Sequence, residues 1–146
     1  MDLPSPSATV FHAIESTIKE YRKFSQKKLS NAVSDMTIDQ GLVLAFLDRY
    51  PEMSQKEIAA LAFKDNASMT RMINLMVKKE YLERSINKLN RRRYKLEITP
   101  KGKNVLKTLT PIVLDNREKA LEGVTEEELI QLEATLKKIK SNCNKP

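Results

Sequence analysis

Apolar residues at Val10, Phe11, Ile14, Ile18, Tyr21 and Phe24 recur at helical spacing, so a long first helix is expected from Ala8 to near Val33. A Pro/Ser-containing arm, residues 1–7, precedes it. Thr37-Ile38-Asp39-Gln40 has the form of a capping box, in which the threonine hydroxyl and the glutamine side chain satisfy orphan amides. A second helix should then run to Tyr50, before Pro51. Ser54-Gln55-Lys56-Glu57 repeats the device and opens a short helix through Leu61 or Ala62. The polar break Lys64-Asp65-Asn66 offers Asp65 or Asn66 as the cap of a fourth helix, Ala67 to Lys79. Two short helices joined by so brief a turn must pack at a steep angle. After Tyr81 the period becomes two: Tyr94, Leu96 and Ile98 alternate with Lys95, Glu97 and Thr99, which predicts a half-buried strand with Leu82 to Ile86 as its partner.

Thr99-Pro100 places a cap before a proline at the first helical position, where its missing amide costs nothing. The fifth helix carries Val105, Leu106, Leu109, Ile112 and Val113 and should bend at Pro111. Gly123 separates it from a last helix, which Thr125 and Glu128 open with another capping box. Leu129, Leu132, Leu136 and Ile139 then form a narrow seam suited to another helix. The order is that of a mainly α chain with a small β-hairpin (α+β), a winged helix-turn-helix flanked by N- and C-terminal helices. At 146 residues, one domain is the default, with residues 37–100 as its winged part.

Charge sharpens this reading. The net charge is +7, but Lys64 to Lys107 holds 13 Lys or Arg against 4 acidic residues, leaving −2 for everything else. Cations concentrated in one segment raise the local potential and release counterions on meeting a polyphosphate. No apolar stretch approaches the roughly 20 residues of a membrane span, and the first residues lack the pattern of a signal peptide, so a cytoplasmic protein with no membrane partner is expected. A single cysteine, Cys143, excludes an intrachain disulfide and a multi-cysteine metal cage.

On a helical wheel Met69, Met72, Ile73 and Met76 share one side of the fourth helix and read as core filler. Ala67, Thr70, Arg71, Asn74 and Lys78 share the other, with no acidic residue before Glu80. The bland reading of such a face is simple solvation, and its single sign of charge argues against that. Arg71 and Asn74 are the candidates for base contacts, because their planar forks match guanine and adenine edges respectively. Ser68 and Thr70, near the helix start, are assigned to phosphate. At the hairpin tip Lys88, Arg91, Arg92 and Arg93 suit a minor groove, where narrow A·T-rich segments attract arginine.

The stretches Ser54-Gln55-Lys56-Glu57-Ile58-Ala59, Met69-Thr70-Arg71-Met72-Ile73, Leu82-Glu83-Arg84, Asn90-Arg91-Arg92 and Leu96-Glu97-Ile98-Thr99-Pro100-Lys101-Gly102 resemble the MarR family of bacterial transcription regulators. The resemblance covers nearly the whole chain, and the wing with Thr-Pro-Lys-Gly is its most specific part. It implies a homodimer whose residues 8–36 and 101–146 form a helical dimerisation part. Two winged parts would enter successive major grooves of a pseudo-palindromic double-stranded DNA site, and a small-molecule effector or oxidant often releases DNA. On this basis Ser54, Gln55 and Lys56 are assigned to the DNA backbone, and Asn90 joins the wing cations. Asn90 stands where the family usually has Asp, and Glu80 where it usually has Gly; if residue 80 takes a positive φ, glutamate is strained there.

The function expected is therefore a sequence-specific DNA-binding repressor released by a signal. The rival is a winged-helix interaction module that uses the seam of the last helix while its basic face stays idle. Nothing in the sequence favours an enzyme: the only histidine, His12, lies in an amphipathic helix, and no carboxylate pair, phosphate loop, cofactor motif or metal-ligand cluster is present. Cys143 reads as an incidental thiol in a lysine-flanked tail.

Overall fold

The computed structural model describes residues 2–86, 89 and 94–146. A short 3-10 turn, Pro6–Ala8, leads into α1 (Val10–Ala32), α2 (Ile38–Arg49), α3 (Gln55–Leu61) and α4 (Asn66–Lys78). The hairpin of β1 (Leu82–Ile86) and β2 (Tyr94–Ile98) follows, then α5 (Pro100–Ala120) and α6 (Glu126–Cys143). The chain divides into two compact units, one ending at Asn116 and one beginning at Arg117. Among the described residues no helix is long and apolar enough to cross a membrane.

The helix starts follow the predicted caps. Thr37, Ser54 and Thr125 each close a capping box, with Gln40, Glu57 and Glu128 respectively. Of the two candidates before α4, Asp65 is the cap, so the helix begins one residue earlier than its apolar period indicated and ends at Lys78. α5 runs unbroken through Pro111.

The helix ends follow a rule that composition obscured. At the end of α4, Glu80 has φ 64°, its amide bonds to the Val77 carbonyl, and the Tyr81 amide bonds back to Met76 at 2.9 Å. This is a Schellman closure, and both Met76 and Tyr81 are buried in the core cluster. α3 ends the same way: Phe63 has φ 56°, and the Lys64 amide reaches the Ala59 carbonyl at 2.9 Å. Both left-handed positions normally favour glycine, so each side chain is held there against a cost of about 1 kcal/mol or more.

The core gathers around the helix-turn-helix. Met69, Ile73 and Met76 of α4 are buried with Val43, Leu44 and Leu47 of α2, Ile58 and Ala59 of α3, Leu82 and Leu96 of the hairpin, and Leu29 and Leu109 of α1 and α5. Met72 packs at its edge. The hairpin register pairs Leu82 with Ile98 and Arg84 with Leu96. Because side chains alternate across a strand, this register turns Arg84 to the same face as buried Leu82.

Candidate nucleic-acid interface

The fourth helix presents the face its sequence predicted. Ala67, Thr70, Arg71, Asn74 and Lys78 are exposed and Ser68 is half-buried, while the methionine side is anchored in the core. Two hydrogen-bonded groups organise that face. In the first, Asp65 caps α4 by accepting from the Ser68 amide at 2.7 Å, and also accepts from the Ser68 hydroxyl at 3.0 Å. The same hydroxyl oxygen accepts from Arg71 Nη2 at 3.1 Å. The bond from the Ser68 amide, with that from its hydroxyl, holds the Asp65 carboxyl below the ordinary carboxylate value. Ser68 therefore spends its one donor on Asp65, so holding a phosphate through that hydroxyl requires the bond to be exchanged.

The second group joins three elements. Arg84, on β1, donates through Nη1 to Asn74 Oδ1 on α4 at 2.5 Å, and through Nη2 to Gln55 Oε1 at the start of α3, a longer contact of 3.5 Å. Gln55 Nε2 then donates to Thr70 Oγ1 at 2.7 Å, and the Thr70 hydroxyl donates to the Asn66 carbonyl at 2.8 Å. The bonds run in one direction, from guanidinium to backbone carbonyl. Thr70, like Ser68, has its donor engaged within the protein and offers only a lone pair to a partner.

Arg84 was absent from the residues assigned to the site by sequence. Its signal was there: a cation in the period-2 register of Leu82, on the inward face of a hairpin, must meet a polar partner across the hairpin base. Ser54 caps α3 through its hydroxyl, Lys56 is exposed, and Gln55 joins the network just described. Lys88, Asn90, Arg91, Arg92 and Arg93 lie outside the described residues.

Among the described residues, Lys64, Lys79 and Lys95 of the basic segment pair with carboxylates outside it. Lys64 meets Asp39 at 3.0 Å, where Arg22 also bonds at 2.6 Å, so one carboxylate joins α1, α2 and the turn before α4. Burial pushes the Asp39 carboxyl up, but the bonds and charges of Arg22 and Lys64 outweigh it and hold it below the ordinary value. Lys79 pairs with Asp35 at 3.3 Å, and Lys95 with Glu52 at 3.5 Å.

The wing returns to α4 through Thr99-Pro100-Lys101-Gly102, whose residue types now have physical reasons. The Thr99 hydroxyl donates to the Glu80 carbonyl at 2.6 Å and accepts from the Gly102 amide at 3.0 Å, capping α5 onto the end of α4. Lys101 donates to the Lys79 carbonyl at 3.0 Å and lies 5.1 Å from the Tyr81 ring centre. A Cβ on Gly102 would stand 2.3 Å from the Tyr81 carbonyl oxygen and 2.8 Å from Ile98 Cγ2, so only glycine fits.

Residues 36–94 match the MarR family model. No curated protein matches the chain in a sequence comparison. Among solved structures, the Staphylococcus aureus MepR–DNA complex matches with TM-score 0.84 at 20% identity, covering 96% of this chain and 100% of that one. Bordetella bronchiseptica BpsR, whose DNA binding is regulated by 6-hydroxynicotinic acid, matches with TM-score 0.84 at 19% identity, over 95% and 98% of the two chains. A Listeria innocua protein of unknown function shares 31% identity over 91% of each chain, with TM-score 0.69. The family match spans the helix-turn-helix and the first strand of its hairpin, and the likeness of fold extends over the flanking helices: residues 36–94 of the chain form a MarR-family segment.

Proposed function

We propose that the protein is a homodimeric, sequence-specific regulator of transcription that binds pseudo-palindromic double-stranded DNA in the cytoplasm and acts as a repressor released by a small-molecule or other signal. One observation carries the reading: the acid-free outer face of α4 is tied by Arg84 to the start of α3 and the base of the wing, so these elements offer one connected polar and cationic surface. Arg71 and Asn74 read bases, Ala67, Ser68, Thr70 and Lys78 complete the groove contact, and Ser54, Gln55 and Lys56 meet the backbone. Lys88, Asn90 and Arg91 to Arg93 are proposed to reach the adjacent minor groove. Residues 37–100 form the DNA-binding part, and residues 8–36 with 101–146 the dimerisation part. The DNA complex of MepR and the ligand control of BpsR support this reading. So do apolar residues left open on the flanking helices: Phe11 of α1 is 57% exposed, and Ile130 and Leu132 of α6 are 62% and 53% exposed.

Titrating duplex affinity against salt tests it. Neutralising about six phosphates per dimer gives a log–log slope near −5, roughly a 10³-fold loss between 50 and 200 mM salt. A slope near zero removes the regulator reading.

A further inference from the structure

Arginine has donors and no acceptor, so whichever way an amide is drawn, the atom of Asn74 that meets Arg84 must be its oxygen. Its Nδ2 donors are therefore directed away from that contact. Gln55 obeys the same logic, with its oxygen toward Arg84 and its nitrogen toward Thr70, so the whole chain of bonds has one consistent polarity. Reading adenine with a free amide fork needs both edges of the amide, an oxygen to accept from the N6 amino group and a nitrogen to donate to N7. Asn74 Oδ1 keeps a second lone pair, but an amino group approaching it would share that oxygen with a full positive charge and meet the charge head-on. A keto oxygen meets the opposite field: the Nδ2 donors are strengthened by the guanidinium on the other end of the amide, and the cation itself attracts the acceptor.

Resting on the regulator reading above, we infer that Arg84 is a positioning residue for specificity: it fixes the Asn74 carboxamide as a donor, so that Asn74 selects a keto-bearing base, guanine or thymine, and discriminates against adenine. This revises the adenine preference that Asn74 has when its fork is considered alone.

The test uses the full chain. Duplexes are first selected from a random library by wild type, and the base position whose preference is lost in Asn74→Ala is identified. Affinities for all four base pairs at that position are then measured for wild type, Arg84→Lys and Arg84→Ala. Wild type should favour guanine or thymine over adenine by about 10-fold, the scale of one good base contact. Arg84→Lys, which keeps a cation and a donor, should retain that order, and Arg84→Ala should lose it or reverse it toward adenine. A general fall in affinity without a change of order is the signature of a merely structural role, and it would overturn the proposal. A wild-type preference for adenine, or the absence of any position that depends on Asn74, would do the same. The wild-type salt slope separates the two levels: a steep slope with a failed base test sinks this proposal alone, whereas a flat slope sinks the regulator reading with it.

Discussion

Glu80 and Gly102 stand on either side of the same junction, and each shows backbone geometry overriding side-chain chemistry. Glu80 occupies a left-handed position that a glycine would take freely. Glu80→Gly relieves that cost, partly offset by the greater freedom of glycine in the unfolded chain, for a net gain of about 0.5–1 kcal/mol. Thermal unfolding should show a midpoint raised by roughly 2–5 °C. Gly102 has the opposite constraint, since the atom a side chain would displace is the Tyr81 carbonyl oxygen, part of the backbone. Gly102→Ala should therefore destabilise by about 1–3 kcal/mol, as overpacking does, measured by denaturant midpoint at unchanged m-value. The first of these positions was legible as a question, because a Gly-to-Glu departure flags a φ problem. The second was legible only as a motif, because sequence does not say which carbonyl a glycine must approach.

Helices and turns are tied by carboxylates whose folded pKa values lie below the ordinary value of 3.8. At Asp35, burial raises the carboxyl, but the bonds from Lys79 and Tyr81 and the Lys79 charge bring it down. Asp39 and Asp65 are depressed as well, by partners already described. A depressed folded pKa means that the charged form is favoured on folding, so the contribution is complete well above pH 4 and is lost as pH falls through the folded values. Stability should accordingly fall from about pH 4 downward, and Asp39→Asn should flatten part of that fall while costing about 1 kcal/mol at neutral pH. Denaturant midpoints of both proteins between pH 3 and 7 check this; parallel profiles would count against Asp39 as a tie. Asp65 caps α4, so Asp65→Ala should lower the denaturant midpoint further by leaving the first turn of that helix uncapped. Element existence, caps and strand pairing were all readable from period and capping residues, because those signals are local. Partners of Asp39 were not, since Arg22 and Lys64 lie 17 and 25 positions away and only packing brings them together.

At the scale of the molecule, the +9 of the basic segment is not one uniform resource. Lys64, Lys79 and Lys95 are paired with carboxylates outside that segment, so the charge available to a duplex is smaller than composition implies. A salt slope computed from all 13 cations per subunit would be too steep, and one counted from the unpaired surface is the better expectation. Arg92→Ala should weaken cognate and random duplexes alike and reduce the slope by about one per neutralised phosphate lost. Equal loss of discrimination from Arg92→Ala and Asn74→Ala would refute the division between phosphate and base contacts. Sedimentation should give a dimer, and a strict monomer would remove the pseudo-palindromic mode of binding.

The sequence by itself determined the elements, their order, the buried face of α4 and the sign of its exposed face. Periodicity and capping act over a few residues, and charge can simply be counted. Only the tertiary structure decided that Arg84 faces inward, that its guanidinium orients the amide of Asn74, and that Ser68 and Thr70 have their hydroxyl donors engaged. Those facts depend on strand register and on helices meeting across the chain, and a hydrogen bond's direction is settled only when both partners are in place.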